Sequence, residues 1–353
     1  MSEEPQSFGD YTKRQVEAAR RVLIDVGQIL ASFRDSIVVV GGWVPDLLLP
    51  NQHPAHVGSI DLDLALDAAN LSDGRYAELL NLLLKTGRYR LSREAGKQFQ
   101  LVTDVELGDE LPPIRVDVEF LAAKELKLKG KGLIEGFRVL QIDACVVAFA
   151  EPQEIKVEGK TLSGARNSVD LRVASLPDFL ILKSYALVGR DKSKDAYDIC
   201  WCLDHYPGGL EALAAELNER LQGDNAAQTA KAISYLKDKF QTEDWYGPSQ
   251  YADFLGEEEE RDLNRQRAYG LVQSLLINLE LGLVAMAAKL KLSFDELNAI
   301  RTRVGSATSE GLRLENQLKD HHGIGPEDKL GAGLHAAGLI SLKQAEWLDQ
   351  LKS

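Results

Sequence analysis

Cysteine is scarce in this chain. Cys145, Cys200 and Cys202 are too few and too unevenly spaced for a disulfide framework or a zinc site. Positive charge is also short: 41 Lys and Arg stand against 54 Asp and Glu, a net charge of −13. That balance argues against broad, sequence-independent nucleic-acid binding, which needs a basic field to attract phosphates. The first ten residues, MSEEPQSFGD, are acidic and polar with no apolar run behind them, so no secretory signal is expected. Charges interrupt the apolar runs, so no segment is expected to span a bilayer and no membrane is expected among the partners. A reduced, bacterial-type cytoplasm is the expected location.

What is present is an ordinary globular composition, 44% hydrophobic and 27% charged over 353 residues. At 38.9 kDa the chain fits about two domains. The residue pattern changes near position 205. Residues 1–205 mix strand and helix signals, whereas 206–353 read as helices throughout. The expectation is therefore an α+β domain followed by an all-helical one.

The most informative stretch runs from Ser36 to Asp67. Ile37-Val38-Val39-Val40 reads as a buried strand, ended by Gly41-Gly42. Trp43 to Leu49 reads as a short helix with Pro45 in its first turn, where proline is tolerated. After a polar loop comes Ile60-Asp61-Leu62-Asp63-Leu64. Side chains alternate faces along a strand, so Asp61 and Asp63 share a face and the leucines take the other. Two carboxylates held that close repel, and a divalent cation is the usual way to stabilise them. Further on, Ile114 to Phe120 alternates again, with Asp117 and Glu119 on the face opposite Val116, Val118 and Phe120.

Around this core, Val16, Ala19, Leu23, Val26, Leu30 and Phe33 form one apolar stripe, predicting a helix over 11–33 that covers a sheet. A second helix is predicted over 74–85, and strands over 89–92 and 98–103. Residues 133–173 read as strand-rich, with a strand over 139–150 and a hairpin beginning at Ile155. Ser175 is placed as the N-cap of a helix with Pro177 in its first turn. Gly189-Arg190 breaks that helix, and another begins near Lys192. Helices are then predicted over 210–221, 226–240, 261–290, 293–303 and 308–321.

A strand, Gly-Gly, a short helix and then Asp-x-Asp on a second strand resembles the nucleotidyltransferase fold, the polymerase-beta-like superfamily. Within it the chain is similar to the AbiEii-type nucleotidyltransferase toxins. Their later motifs read here as Val173-Ala174-Ser175-Leu176-Pro177-Asp178, Lys183, Arg190 and Lys194-Asp195-Ala196-Tyr197-Asp198-Ile199. The resemblance implies a mixed sheet flanked by helices and two Mg2+ ions about 3.5–4 Å apart on Asp61, Asp63 and a third carboxylate. Asp117 is the expected third carboxylate because it lies mid-strand, with Glu119 as the fallback. Gly41 and Gly42 are expected to let backbone N–H groups approach the phosphates. Lys183 is expected to meet the triphosphate, assisted by Lys194 or Arg190. Asp195 and Asp198 are implied to lie near the acceptor or the second metal.

Two features depart from the family pattern. Gly42 and Asp61 are 61 − 42 = 19 positions apart, with the extra residues in a turn-rich loop, Pro50 to His56, expected to lie outside the site. Trp43 stands where small or hydroxyl residues are common. The implied activity is transfer of an NMP from an NTP to a hydroxyl of tRNA or protein, by a toxin with an antitoxin partner. Two other readings remain open: a transferase acting on a small molecule, and a non-catalytic nucleotide-binding partner of the same fold.

The remaining signals read as surface or packing. The run Lys124 to Lys131 is a solvated surface, and so is the acidic run Glu257 to Glu260. His321-His322 lacks the companion ligands a metal site needs. The end of the chain is similar in outline to a helical HEPN-type module but lacks the Arg and His of a ribonuclease.

Overall fold

The computed structural model describes residues 5–67, 75–94, 97, 99–124, 133–134, 137–302 and 307–349. They fall into two compact units, one of residues 1–206 and 220–272, the other of residues 207–219 and 273–353.

The first unit opens with α1 (Lys13–Ile29), capped by Thr12, whose hydroxyl accepts from the Gln15 N–H while the Gln15 amide oxygen accepts from the Thr12 N–H. Next come β1 (Ile37–Val40), α2 (Trp43–Leu48), β2 (Leu62–Leu66), α3 (Arg75–Lys85), β3 (Arg90–Leu91), β4 (Gln100–Val105) and β5 (Ile114–Ala123). A small ribbon of β6 (Leu133–Ile134) and β7 (Phe137–Arg138) precedes β8 (Leu140–Ile142), β9 (Gln153–Lys160) and β10 (Arg166–Val173). The main sheet runs β3-β4-β5-β2-β1-β10-β9, with β8 also paired to β5. It is mixed: β1 is antiparallel to β2 and parallel to β10, and β2 is parallel to β5. All four residues of β1 are buried, as a strand with neighbours on both edges and cover on both faces requires.

The predicted first helix stops at Ile29, and a 3-10 segment covers Ala31–Ser36. The buried side of α1 is wider than the predicted stripe and includes Arg21 and Asp25. Asp25 accepts from the Tyr89 hydroxyl at 2.9 Å and lies 3.1 Å from an Arg88 guanidinium nitrogen. Gly27 allows the helix to lie close on β10, since a Cβ there would stand 2.6 Å from a Val169 methyl. The strand predicted over 139–150 is only β8, because Ala144 turns left-handed (φ 59) and starts the 3-10 segment Cys145–Phe149.

α4 (Leu176–Gly189) begins at Ser175, whose hydroxyl accepts from the Asp178 N–H as expected, and α5 (Ser193–Asp204) follows. Buried residues surround α4 on every side, from Phe179 and Leu180 to Lys183, Ser184 and Leu187, so it needs cover beyond the sheet. That cover explains why residues 220–272 belong to the first unit, although helices there were expected in a separate domain. In α7 (Ala226–Lys239) the Tyr235 ring meets that of Tyr185 edge-on at 5.1 Å. In α8 (Tyr246–Leu255) Phe254 packs 4.7 Å from Tyr197 of α5.

The second unit contains most of α6 (Gly209–Arg220), the end of α9 (Arg261–Leu281), α10 (Leu283–Lys289), α11 (Phe294–Thr302), α12 (Ala307–His322), α13 (Leu330–Ala336) and α14 (Leu342–Asp349). Its core includes Met286, Leu290, Leu297, Leu314, Leu330 and Leu334. The helix predicted over 261–290 is interrupted at Gly282, which is left-handed at φ 54. Contrary to the expectation from sequence, Glu258–Lys289 is long and apolar enough to cross a membrane by length and composition. About half of its apolar window, 47%, is buried within the protein.

Candidate functional site

The turn between β1 and α2 is shaped by its neighbours. Gly41 is left-handed (φ +70), and a Cβ on it would lie 2.2 Å from Asp63 Oδ2. A Cβ on Gly42 would lie 2.9 Å from both Lys194 Nζ and Ser59 Oγ. Both glycines therefore make room for charged and polar groups packed directly against the backbone. Trp43 is fully buried, and its Nε1–H donates to the Asp61 carbonyl at 2.7 Å. The indole thus pins the entry to β2, a structural task that accounts for a large ring after Gly-Gly.

β2 presents Asp63 opposite Val40 on one side and opposite Glu119 of β5 on the other. Asp61 lies just before the strand and accepts from the Ser59 hydroxyl at 2.5 Å. Asp117 lies on the same face of β5 as Glu119, two residues earlier. Its carboxylate accepts from Arg115 Nε at 2.9 Å, and Arg115 also pairs with Glu94. Glu119 lines the cleft described below and Asp117 does not. Of the two acids proposed from sequence for the third position, the fallback is the one set against Asp63.

Burial, then the charges of Asp61 and Glu119, push the Asp63 carboxyl well above its ordinary range. Burial and Asp61 likewise raise Glu119 to about 6, against a hydrogen bond from Gln100. Asp61 is held below its usual value: burial opposes this, but Lys192, the Ser59 hydroxyl, Lys194 and Lys183 together outweigh it. The arrangement is a pocket of surplus negative charge.

Facing it is a buried group of cations. Lys183 of α4 lies 2.7 Å from Asp195 Oδ1 and 2.6 Å from Asp198 Oδ2, the latter an ion pair without hydrogen-bond geometry. Lys194 donates to Asp198 Oδ1 at 2.6 Å, one turn along α5. Arg190 grips Asp195 with two bonds of 2.8 and 2.9 Å, while half of its side chain (52%) stays exposed at the cleft. Burial raises the Asp195 carboxyl, but Lys183 and Arg190 outweigh it and hold the group down at about 2. Asp198 is held lower than an ordinary carboxylate by Lys183, Lys194 and His56, against burial. Burial lowers Lys183, but Asp195 and Asp198 raise it further, so its ammonium stays charged.

Asp195 and Asp198, expected beside an acceptor or a second metal, each pair with two of these side-chain cations. His56 and Ser59 were not foreseen. The loop from Pro50 to His56, expected outside the site, returns beneath it: His56 is buried with Nε2 3.0 Å from Asp198 Oδ1. A lone histidine between turn residues carries no signal for that contact. Ser59, two residues before Asp61, did have one in its alternation with the acids.

The two groups meet in a cleft of about 290 Å3. Asp63, Glu119, Lys183 and Arg190 lie among its walls, together with apolar side chains that include Leu121, Leu140, Phe179 and Leu182. Among the described residues no group of three His, Cys, Asp or Glu side chains is disposed to hold a metal ion by itself. Lys127, Lys129 and Lys131 of the predicted basic surface lie outside the described residues, and Lys124 pairs with Asp143 at 3.0 Å. His321 and His322 meet ring edge to face at 4.7 Å.

No curated protein matches the sequence. The chain is similar in structure to JHP933 from Helicobacter pylori, at 12% identity and a TM-score of 0.41, over 76% of this chain and 94% of that one. It is also similar to an antigenic nucleotidyltransferase-like protein from Paracoccidioides brasiliensis, at 13% identity and a TM-score of 0.35, over 63% and 88% of the respective chains. Likeness at this level decides nothing about activity. The family model described as "Nucleotidyl transferase AbiEii toxin, Type IV TA system" matches residues 28–269, and so ends close to the end of the first compact unit at 272. That match spans more than half of the sequence and includes the Gly-Gly turn, all the clustered acids and the cation group: the chain belongs to the AbiEii nucleotidyltransferase toxin family.

Proposed function

We infer that the protein transfers an NMP from a nucleoside triphosphate to a hydroxyl of tRNA or protein, with magnesium, as the toxin of a toxin–antitoxin pair. The observation that carries this reading is the cleft itself, where the carboxylates of Asp63 and Glu119 and the cations of Lys183 and Arg190 line one space with apolar walls. Such a space suits a ligand with a polyanionic end and a flat, less polar end.

Hard oxygen donors and surplus negative charge fit Mg2+, with phosphate oxygens completing a set that the protein does not complete alone. A pair of carboxylates, Asp63 with its ladder partner Glu119 or with Asp61, would hold it. Bound there, magnesium would neutralise the triphosphate and favour ionisation of the attacking hydroxyl. Lys183 and Arg190 balance the charge of the departing pyrophosphate, and Asp195 and Asp198 keep them in place. Asp117 takes an outer position, steadied by Arg115. The apolar walls receive the base and exclude water from the reacting phosphate.

Incubation with each labelled NTP, total RNA and cell lysate tests this. Label on RNA or protein is expected, lost in Asp61→Ala along with growth inhibition on expression. Label on a small molecule would favour the antibiotic-modifying type of reaction, and no label with any acceptor would leave a binding role.

A further inference from the structure

The loop that leaves α2 is fastened to one face of α5. Trp201 Nε1–H donates to the Pro54 carbonyl at 3.1 Å, and the Val57 N–H donates to the Tyr197 hydroxyl at 3.2 Å. Between these bonds His56 packs against the rings of Tyr197 and Trp201, at 5.4 and 5.0 Å between centroids. Residues 197, 198 and 201 share a helix face by their spacing. This clamp joins the loop that leads to Asp61 and to β2, which carries Asp63, to the helix that carries Lys194, Asp195 and Asp198.

The hydrogen bonds of His56 define its proton. Nδ1 accepts from the Gly58 N–H at 3.1 Å, so Nε2 carries the hydrogen and donates it to Asp198 Oδ1 at 3.0 Å. Burial pushes the imidazole down to about 4, so near neutral pH the ring is an uncharged donor. It satisfies Asp198 without adding a third positive charge beside Lys183 and Lys194.

We propose that His56 is a positioning residue for the transfer reaction: its Nε2–H holds the Asp198 carboxylate with one oxygen toward Lys194 and the other toward Lys183. This rests on the reading of Lys183 as a triphosphate ligand. Without the donor, Asp198 can rotate toward Lys194, which leaves Lys183 held from the Asp195 side alone. The lysine nearest the cleft then no longer stands where the leaving phosphates need it.

The test is magnesium-supported binding of ATP, GTP, CTP and UTP by calorimetry, which needs no acceptor. For the NTP that binds best, His56→Leu is expected to weaken Kd about tenfold or more, the loss typical of an outer-shell partner. His56→Gln, whose amide reaches Asp198 as Nε2 does, is expected to recover most of it. Tyr89→Phe, which removes a buried hydrogen bond remote from the cleft, is expected to lower thermal stability and leave Kd unchanged. If His56→Leu does not fold, His56→Asn, whose amide is too short for Asp198, takes its place. Wild-type affinity in the Leu or Asn variant, or a Gln variant as weak as they are, overturns the proposal alone. A wild-type protein that binds no NTP overturns the functional reading and this inference together.

Discussion

Asp63 and Glu119 are direct partners in the parallel ladder between β2 and β5, so their carboxylates leave the sheet on the same face. Neighbouring strands lie about 4.8 Å apart, and nothing positive separates the two acids within the ladder. After burial and the charge of Asp61, the Glu119 anion further disfavours ionisation of Asp63.

That pairing ranks the acids of β5. Glu119→Gln is expected to reduce labelled-nucleotide transfer by about 100-fold or more, the scale of losing a group that stabilises developing charge. Asp117→Asn, which removes a partner of Arg115, is expected to cost about tenfold or less. Equal losses in the two variants would return Asp117 to the role first expected of it.

The Gly41 turn allows strain and crowding to be separated. Gly41→Ala must adopt a positive φ and also push aside Asp63 Oδ2, whereas Gly87→Ala meets the same strain (φ +71) with open space around it. Gly87→Ala is expected to cost about 1 kcal/mol in denaturant unfolding. Gly41→Ala is expected to cost more, about 2–4 kcal/mol, and to lower transfer as well. Similar stability losses would mean that the carboxylate moves aside freely.

Stability should depend on pH with an unusual sign near pH 5. Glu119 has a folded pKa of about 6, above that of an unfolded glutamate, so the native state binds the extra proton in this window. The Glu119 contribution therefore falls as pH rises from about 4.5 to 6. Asp195, held down at about 2, works oppositely: its contribution is present above about pH 4 and lost as pH falls toward 2. Unfolding curves across pH 4.5–7 should show the first effect in the wild type and a smaller one in Glu119→Gln, where the raised Asp63 carboxyl still contributes with the same sign. Magnesium should raise the melting temperature more at pH 7 than at pH 5, because protonated carboxyls bind it poorly.

The buried ion pairs predict a stability loss independent of catalysis. Asp198→Asn leaves Lys183 and Lys194 near each other without the anion between them, and is expected to destabilise the fold by about 3–5 kcal/mol. Chemical denaturation measures this directly. A loss under about 1 kcal/mol would mean that one lysine gives up its proton instead.

Much of the site was legible locally. The alternation of Asp61 with Asp63, and of Asp117 with Glu119, sorts side chains to faces, and the structure keeps those faces. Ser175 caps α4 as its position before Leu-Pro predicts. Alternation does not say which residue of β5 stands opposite Asp63, because register is set by pairing between strands more than 50 residues apart in the chain. Helix α7 read correctly as a helix and α8 was not among the helices predicted; the partner of both was hidden, since an apolar face does not name the surface that covers it.

By itself, the amino-acid order determined the strands beside the glycine turn, the turn itself, the pair of acids and the cation-bearing helices, all through contacts within a few residues. Only the tertiary structure decided that Glu119 faces Asp63, that Asp195 and Asp198 hold cations, and that His56 reaches Asp198 across 142 positions. Those outcomes depend on which buried charges find partners once water is excluded, and burial is a property of the assembled fold.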